Sequence, residues 1–141
     1  MDVSTRVGIA AVFVWLGMVL AISFLEAPLK FRAPGVTLQL GLGIGRLVFR
    51  ALNACELLLA VIIGVTLLDH ESSVGADASI VVAVGSLLVQ TVLLRPMLSK
   101  RTTAVLAGEE RQRSVVHYFY IGFEVIKVVA LITAGVLLLG M

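Results

Sequence analysis

One apolar stretch near the C-terminus constrains the fold most, because it is long enough to cross a bilayer yet carries four polar side chains. The stretch Val115–Leu139 contains His117, Tyr120, Glu124 and Lys127. On a helix of 3.6 residues per turn, the offsets 0, 3, 7 and 10 place these side chains on one face. A charged group at membrane depth is costly unless it is paired or faces water or protein. The stretch therefore predicts a membrane helix whose polar face is covered by neighbouring helices.

The rest of the chain supplies that cover. The 141 residues are 60% hydrophobic, with a mean hydropathy of +1.09, and a soluble domain of this size would need more polar surface. Because a spanning helix needs about 20 apolar residues, the sequence predicts four of them, at about 7–25, 46–68, 78–94 and 115–139. We therefore expect an all-α fold, an integral membrane four-helix bundle that forms a single domain over 1–141. The first segment is predicted to be a retained helix and not a signal peptide, since no small-x-small cleavage site follows its long apolar run.

The basic residues predict the orientation of the bundle. They cluster around the first and third connections: Lys30, Arg32, Arg46, Arg50, Arg95, Lys100, Arg101, Arg111 and Arg113. The second connection, 69–77, has no Lys or Arg. By the positive-inside rule, connections one and three face the cytoplasm, and both termini face outward from a cell (inner) membrane. We interpret the clusters as topology signals and expect the lipid bilayer, not nucleic acid, as the partner.

A second polar face lies in the first half of the second predicted helix. Its members, at offsets 0, 4, 7 and 10, are Arg46, Arg50, Asn53 and Glu56, and this spacing places them on one face. Arg46 can reach the membrane surface by extending its side chain. Glu56 lies about 15 Å further along the helix at ~1.5 Å per residue, which is too deep for that. Asn53 with Arg50 is expected either to bind an anionic headgroup or to satisfy contacts between helices.

An internal repeat relates the two halves of the chain. At an offset of 68, Pro28 recurs as Pro96. At the same offset, Glu56 recurs as Glu124. The offset predicts two helix-loop-helix halves related by an axis along the membrane normal, each with one deep glutamate in its second helix. Because proline disfavours helix interiors, Pro28 is expected in the first turn of a short interfacial helix, and Arg95-Pro96 is expected to end the third helix.

Short runs around the first and third connections resemble a known family. The residues that carry the resemblance are Gly17-Met18, Phe24, Leu29, Phe31-Arg32 and Pro34, and later Lys100-Arg101-Thr102-Thr103-Ala104. In this spacing they resemble the eukaryotic transmembrane-protein-205-like family and its bacterial relatives. The resemblance implies a four-helix membrane fold and little about activity, because that family has no settled biochemical function. The polar residues of the second helix do not match a pattern of the family, so the resemblance implies no role for them.

Glu56 and Glu124 are the sharpest functional candidates. A buried carboxylate can exchange protons near neutral pH, so the pair predicts a proton- or cation-handling site between the second and fourth helices. The alternative is structural, with Glu124 paired to Lys127, and Glu56 paired to Arg50 or another basic group. Lys127 is the deepest cation, and it can serve as a counter-ion to either glutamate or bind a substrate anion.

The remaining polar residues have simpler interpretations. His117 and Tyr120 are further candidates for ion, proton or ligand handling, with His117 as a haem ligand, a metal ligand or a proton relay. The alternative, which the sequence favours, is an interfacial histidine bonded to Tyr118 or Tyr120, because one suitable histidine per chain can form a bis-His haem site only in a homodimer. Tyr118, Phe119 and Tyr120 are expected to form an aromatic belt at the cytoplasmic boundary. No nucleophile-base-acid set is apparent, so no catalytic residue, metal or cofactor is predicted.

The leading hypothesis is a small transporter or channel component that handles protons, ions or a small solute through the paired carboxylates. A four-helix bundle has little interior, so a path would require a homo-oligomer or a larger membrane complex. Small residues four apart, Gly17 with Ala21 and Ala60 with Gly64, are the candidate interfaces.

Two alternative functions stay open. One is a non-catalytic accessory or assembly subunit, or a subunit that binds lipid or quinone. The other is a small membrane enzyme of lipid, glutathione or haem type, although the sequence favours a protein that is not an enzyme. For the glutathione type, the order Arg50, Asn53, Glu56 resembles a motif of glutathione-using four-helix membrane enzymes, with one residue fewer between Arg and Asn.

Overall fold

The protein is a bundle of four long helices. The computed structural model describes residues 2–68, 73–108 and 115–140, and within these ranges the chain is helical apart from short turns, with no strand. The helices are α1 (Val3–Lys30), α2 (Leu38–Leu68), α3 (Val74–Leu106) and α4 (Val115–Leu139). Within these ranges, four helices are long and apolar enough to cross a membrane, which confirms the predicted all-α membrane bundle. The predictions for 69–72, Arg111 and Arg113 lie outside the described residues.

Polar caps extend the helices beyond the predicted apolar segments. Asp2 Oδ1 accepts a hydrogen bond of 3.0 Å from the Thr5 amide at the start of α1. Ser73 Oγ accepts one of 3.1 Å from the Ala76 amide at the start of α3. A capping side chain satisfies an amide that has no partner in the first helical turn. The caps therefore place the starts of α1 and α3 in the polar sequence that precedes their apolar segments.

Pro28 and Pro96 lie inside continuous helices, so the prediction that Pro96 ends the third helix is wrong. A π-helical segment precedes each proline, Leu20–Glu26 in α1 and Gln90–Leu94 in α3. The wider π turn accommodates the ring and the missing N–H, which would break a regular α-helix. For the same reason, Pro28 continues α1 and does not open a separate interfacial helix. The two π segments end 68 residues apart, which matches the offset of the sequence repeat.

The helices form a ring in the order α2, α1, α4, α3. Helix α1 packs against α2 and α4, and α3 packs along α4. Helices α2 and α3 meet mainly where α2 begins and α3 ends. Each half of the repeat is thus one antiparallel hairpin, and α2 and α4, which carry the two deep glutamates, stand opposite each other.

The centre of the bundle is apolar along most of its length, and its outer surface is apolar as well. Fully buried side chains include Val12, Ile63, Leu87 and Leu131. Large apolar side chains are exposed all around the outside, as expected for a surface that faces lipid acyl chains. Because lipid acyl chains are as apolar as the side chains of the helices, the hydrophobic effect does not drive association of the helices. Close packing and polar contacts hold them together instead.

Small residues have two different environments. A Cβ atom on Gly135 would lie 2.7 Å from the Phe13 ring, so this glycine allows α1 and α4 to approach closely. Gly17 and Gly64, which the sequence singles out, have open space where a Cβ atom would stand. They lie on the outer surface and do not bring helices of one bundle together. Their role as interfaces between copies stays a prediction.

Candidate functional site

A lysine occupies the middle of the fourth helix. Lys127 lies 12 residues from Val115 and 12 residues from Leu139, so its Cα is about 18 Å from either helix end at ~1.5 Å per residue. Its side chain is 0% exposed. An ammonium group at this depth requires compensating charge or strong acceptors. The identity of its partners therefore defines the site.

Lys127 binds two carboxylates at once. Its Nζ lies 3.0 and 3.1 Å from the two oxygens of Glu56, and 2.6 Å from Glu124 Oε1. Glu124 precedes Lys127 by three residues on α4, whereas Glu56 reaches across the bundle from α2. Both carboxylates are buried, with exposures of 0% for Glu56 and 2% for Glu124. The structure thus brings together the three ionisable residues that the sequence ranks highest.

The other two helices complete this group. From α3, Gln90 Nε2 donates to Glu124 Oε1 at 2.7 Å and to the Tyr120 carbonyl at 3.1 Å. From α1, the Trp15 indole lies against the Glu56 carboxylate, although its N–H meets hydrogen-bond geometry with none of the described residues. We call the set Trp15, Glu56, Gln90, Glu124 and Lys127 the ionic cluster. It draws one or two residues from every helix and joins all four at mid-depth.

The ionic cluster carries one more negative than positive charge if all three ionisable groups are charged. Glu124 Oε1 accepts from both Lys127 and Gln90, whereas Glu124 Oε2 is buried without a donor in the described part of the chain. Gln90 Oε1 is likewise buried and has no hydrogen-bond partner among the described residues. Buried acceptors of this kind are costly to leave unpaired. The cluster can therefore take one further proton or small cation.

Tyr120 lies beside the ionic cluster on the side of the first and third connections. It is 6% exposed, and its ring meets Phe49 edge-on at 6.0 Å between centroids. Its side chain lies within electrostatic reach of Glu124, Glu56 and Arg95. Tyr120 thus stands between the buried carboxylates and the basic end of the bundle.

The expectation that Tyr120 belongs to an aromatic belt is wrong. Tyr118 and Phe119 are 62% and 58% exposed and point outward, as belt residues do. Tyr120 shares its helix face with Glu124 and points inward, because helical periodicity rotates it about 100° from Phe119.

The remaining predicted site residues divide into buried and peripheral ones. Asn53 is buried, and its Oδ1 has no partner among the described residues. Arg50 is exposed, so Glu56 pairs with Lys127 and not with Arg50. His117 is half-buried near the start of α4, with its ring edge-on to Tyr118 at 5.9 Å. Neither Arg50 nor His117 belongs to the ionic cluster.

Two members of the ionic cluster were absent from the predicted site. Gln90 is the only amide in the apolar part of the third predicted helix, and this isolation is the signal that marks it. Trp15 lies near the middle of α1 and not at an interface, where tryptophan is common in membrane helices. Its depth signals a partner inside the bundle.

Comparison with protein-family models, with curated proteins and with solved structures finds no match to this chain. The resemblance to the transmembrane-protein-205-like family therefore stays a prediction. Among the described residues, no three His, Cys, Asp or Glu side chains are placed as ligands of a metal ion. The ionic cluster is the candidate site on which the functional argument depends.

Proposed function

We propose that this multi-pass membrane protein is a transporter or channel component in which the ionic cluster binds and releases a proton. The observation that carries the proposal is the imbalance inside the cluster. Two carboxylates face one ammonium in a buried centre, and an oxygen of Glu124 and the oxygen of Gln90 both lack a donor among the described residues.

A proton on Glu124 Oε2 would compensate both the excess negative charge and the missing hydrogen-bond donor. It would neutralise the excess negative charge, which is costly in a low-dielectric interior. The protonated oxygen would donate to Gln90 Oε1, while Gln90 Nε2 already donates to the other oxygen of the same carboxyl group at 2.7 Å. Acid and amide would then form a reciprocal pair.

The two glutamates take different roles in this proposal. Glu56 accepts from Lys127 with both oxygens at 3.0 and 3.1 Å, so we assign it the role of counter-ion to Lys127. Glu124 shares Lys127 and has a spare oxygen, so it is the group that exchanges the proton. Lys127 contacts both carboxylates and so limits the cost of burying two negative charges.

Transport requires that this proton reach both membrane surfaces. The basic end of the bundle leads to the cluster through Tyr120, whose hydroxyl is buried without a partner among the described residues. Towards the other end the bundle interior is apolar. We propose that the path is completed by a second copy or a larger complex, with the proton moving alone or together with an ion or small solute.

Proton flux into proteoliposomes tests the proposal. We expect the wild-type protein to collapse an imposed pH gradient, and the Glu124→Gln variant to lose at least about tenfold in rate because its amide cannot exchange a proton. Glu26→Gln is the matched control, since it removes a carboxylate that lies outside the ionic cluster. Unchanged flux in a folded Glu56→Gln, Glu124→Gln double variant would contradict the proposal.

A second candidate is an accessory subunit in which the ionic cluster only locks the helices together. The observation in its favour is that Lys127 contacts both carboxylates directly, as a structural ion pair does. It predicts co-purification with a partner complex, lipid or quinone, and no proton flux after reconstitution of the isolated protein. The flux measurement therefore separates the two candidates.

A further inference from the structure

Four cations converge at the basic end of the bundle, apart from the ionic cluster. We call Lys30, Arg46, Arg50 and Arg95 the basic cluster. Lys30 ends α1, Arg46 and Arg50 lie on α2, and Arg95 follows the apolar part of α3. The basic cluster thus draws on three helices.

An aromatic ring organises part of the basic cluster. Arg95 Cζ lies 5.5 Å and Lys30 Nζ 5.9 Å from the centroid of the Phe49 ring. The Lys30 side chain is only 11% exposed, and a Cβ atom on Gly45 would lie 2.8 Å from its Nζ. Two cations on one ring are held together in spite of their repulsion, since each gains a cation–π contact. Topology signals alone do not require this convergence.

The positive charge of the basic cluster is not balanced within the described part of the chain. Arg46 donates to the Ser99 carbonyl at 3.0 Å and to Thr103 Oγ1 at 2.7 Å, and both acceptors are neutral. Arg50 and Arg95 have neither a hydrogen bond nor an ion pair with described residues, and Arg46 and Arg50 repel Arg95.

Among the described residues, the one carboxylate paired with the basic cluster is Glu26, at 3.9 Å from Lys30. Four cations and this carboxylate sum to a formal charge of +3, counted as four minus one. A carboxylate ligand would leave a charge of +2. A phosphate group carries about −1.5 to −2 near neutral pH and offers three acceptor oxygens, so it fits the basic cluster better.

We infer that the basic cluster is a binding site for a phosphate group, held mainly by Arg50 and Arg95. Neither guanidinium group donates to a described residue, and a planar guanidinium can donate two parallel hydrogen bonds to two phosphate oxygens. The same group is offered by a lipid headgroup and by a phosphorylated or inorganic solute. Arg95 lies where the apolar part of α3 ends, a level at which both sources are present. The inference does not depend on proton transport by the ionic cluster.

The stability of the purified full chain in a neutral detergent tests this inference. The two ligands are inorganic phosphate, compared with chloride at equal ionic strength, and a soluble short-chain phosphatidic acid, compared with short-chain phosphatidylcholine. Ligand that binds only the folded protein raises the melting temperature in a concentration-dependent way. We expect such a rise for the wild type, and an apparent affinity at least about tenfold weaker for the Arg50→Gln, Arg95→Gln double variant.

Control variants keep the test decisive. Arg6→Gln removes an exposed arginine at the opposite end and should respond as the wild type does. If the double variant does not fold, Arg95→Lys replaces it in the test. This variant keeps the positive charge but loses the planar guanidinium that can donate two parallel hydrogen bonds, so it should also bind the phosphate group about tenfold more weakly than the wild type does. A response to phosphatidic acid alone assigns the site to a headgroup, and a response to both ligands assigns it to the phosphate group in general. No stabilisation by either ligand, or an equal response of wild type and double variant, would overturn the inference.

Discussion

The two halves of the repeat place a glutamate at the same position but surround it differently. Glu56 and Glu124 are 68 residues apart and both reach the centre of the bundle. At the same offset, Lys127 corresponds to Leu59, Gln90 to Ile22 and Tyr120 to Leu52. The partners of both carboxylates thus come chiefly from the second half, while the first half is apolar at the matching positions. The two carboxylates therefore stand at equivalent positions of the repeat but have different partners.

The largest loss of stability is expected for a substitution that removes this difference between the halves. Lys127→Met makes the second half resemble the first and leaves two buried carboxylates without their counter-charge. Breaking a buried pair in this way costs about 3–5 kcal/mol of unfolding free energy. Denaturation of the purified protein in mixed detergent micelles measures it. Leu59→Met is the matched control at the equivalent position and should cost less than about 1.5 kcal/mol. Similar costs for the two variants would contradict the assigned role of Lys127.

The two glutamates should differ when each is replaced by glutamine. Glu56→Gln removes the carboxylate that holds Lys127 with both oxygens, and we expect a loss of about 2–3 kcal/mol, in the range for hydrogen bonds to charged groups. Glu124→Gln removes the excess charge and keeps acceptors for Lys127 and Gln90, so the change should stay within about 1 kcal/mol. The same unfolding assay compares them, and equal losses would show that the two carboxylates are equivalent.

A smaller loss of stability than for Lys127→Met or Glu56→Gln is expected at Gln90. Gln90→Leu removes the donor to Glu124 Oε1 and to the Tyr120 carbonyl, and hydrogen bonds between membrane helices contribute about 0.6–1.7 kcal/mol. Ile22→Leu changes the equivalent position of the first half without removing a polar contact and serves as the control. If Gln90→Leu is as stable as its control while proton flux is unchanged, Gln90 has no part in the site.

Sequence reasoning reached the fold and part of the site. The four helices follow from apolar length, and the face shared by Tyr120, Glu124 and Lys127 follows from the helical period, because both are local properties. The sequence does not distinguish Lys127 from Arg50 as the partner of Glu56, because that contact depends on which helices stand opposite each other and at what relative height. The continuation of α3 through Pro96 depends on the π segment before it. A π turn cannot be predicted from the spacing of apolar residues in this segment.

The inward position of Tyr120 shows how two local rules can conflict. Its aromatic neighbours favour a membrane belt, whereas its spacing from Glu124 favours the interior. The spacing prevailed because a polar tip can be buried beside other polar groups at the bundle centre. Gln90 was missed for a related reason, since one amide in an apolar helix identifies no partner until the facing helix is known.

The central claim is that Glu124, and not Glu56, carries the exchangeable proton. Infrared difference spectroscopy of the reconstituted protein at two pH values measures the stretching band of a protonated carboxyl group directly. We predict such a band in the wild type and in Glu26→Gln, its loss in Glu124→Gln, and a shift to higher frequency in Gln90→Leu because the hydrogen bond is removed. A band that persists in Glu124→Gln and disappears in Glu56→Gln, or no protonated carboxyl band at any pH in the folded protein, would contradict the account.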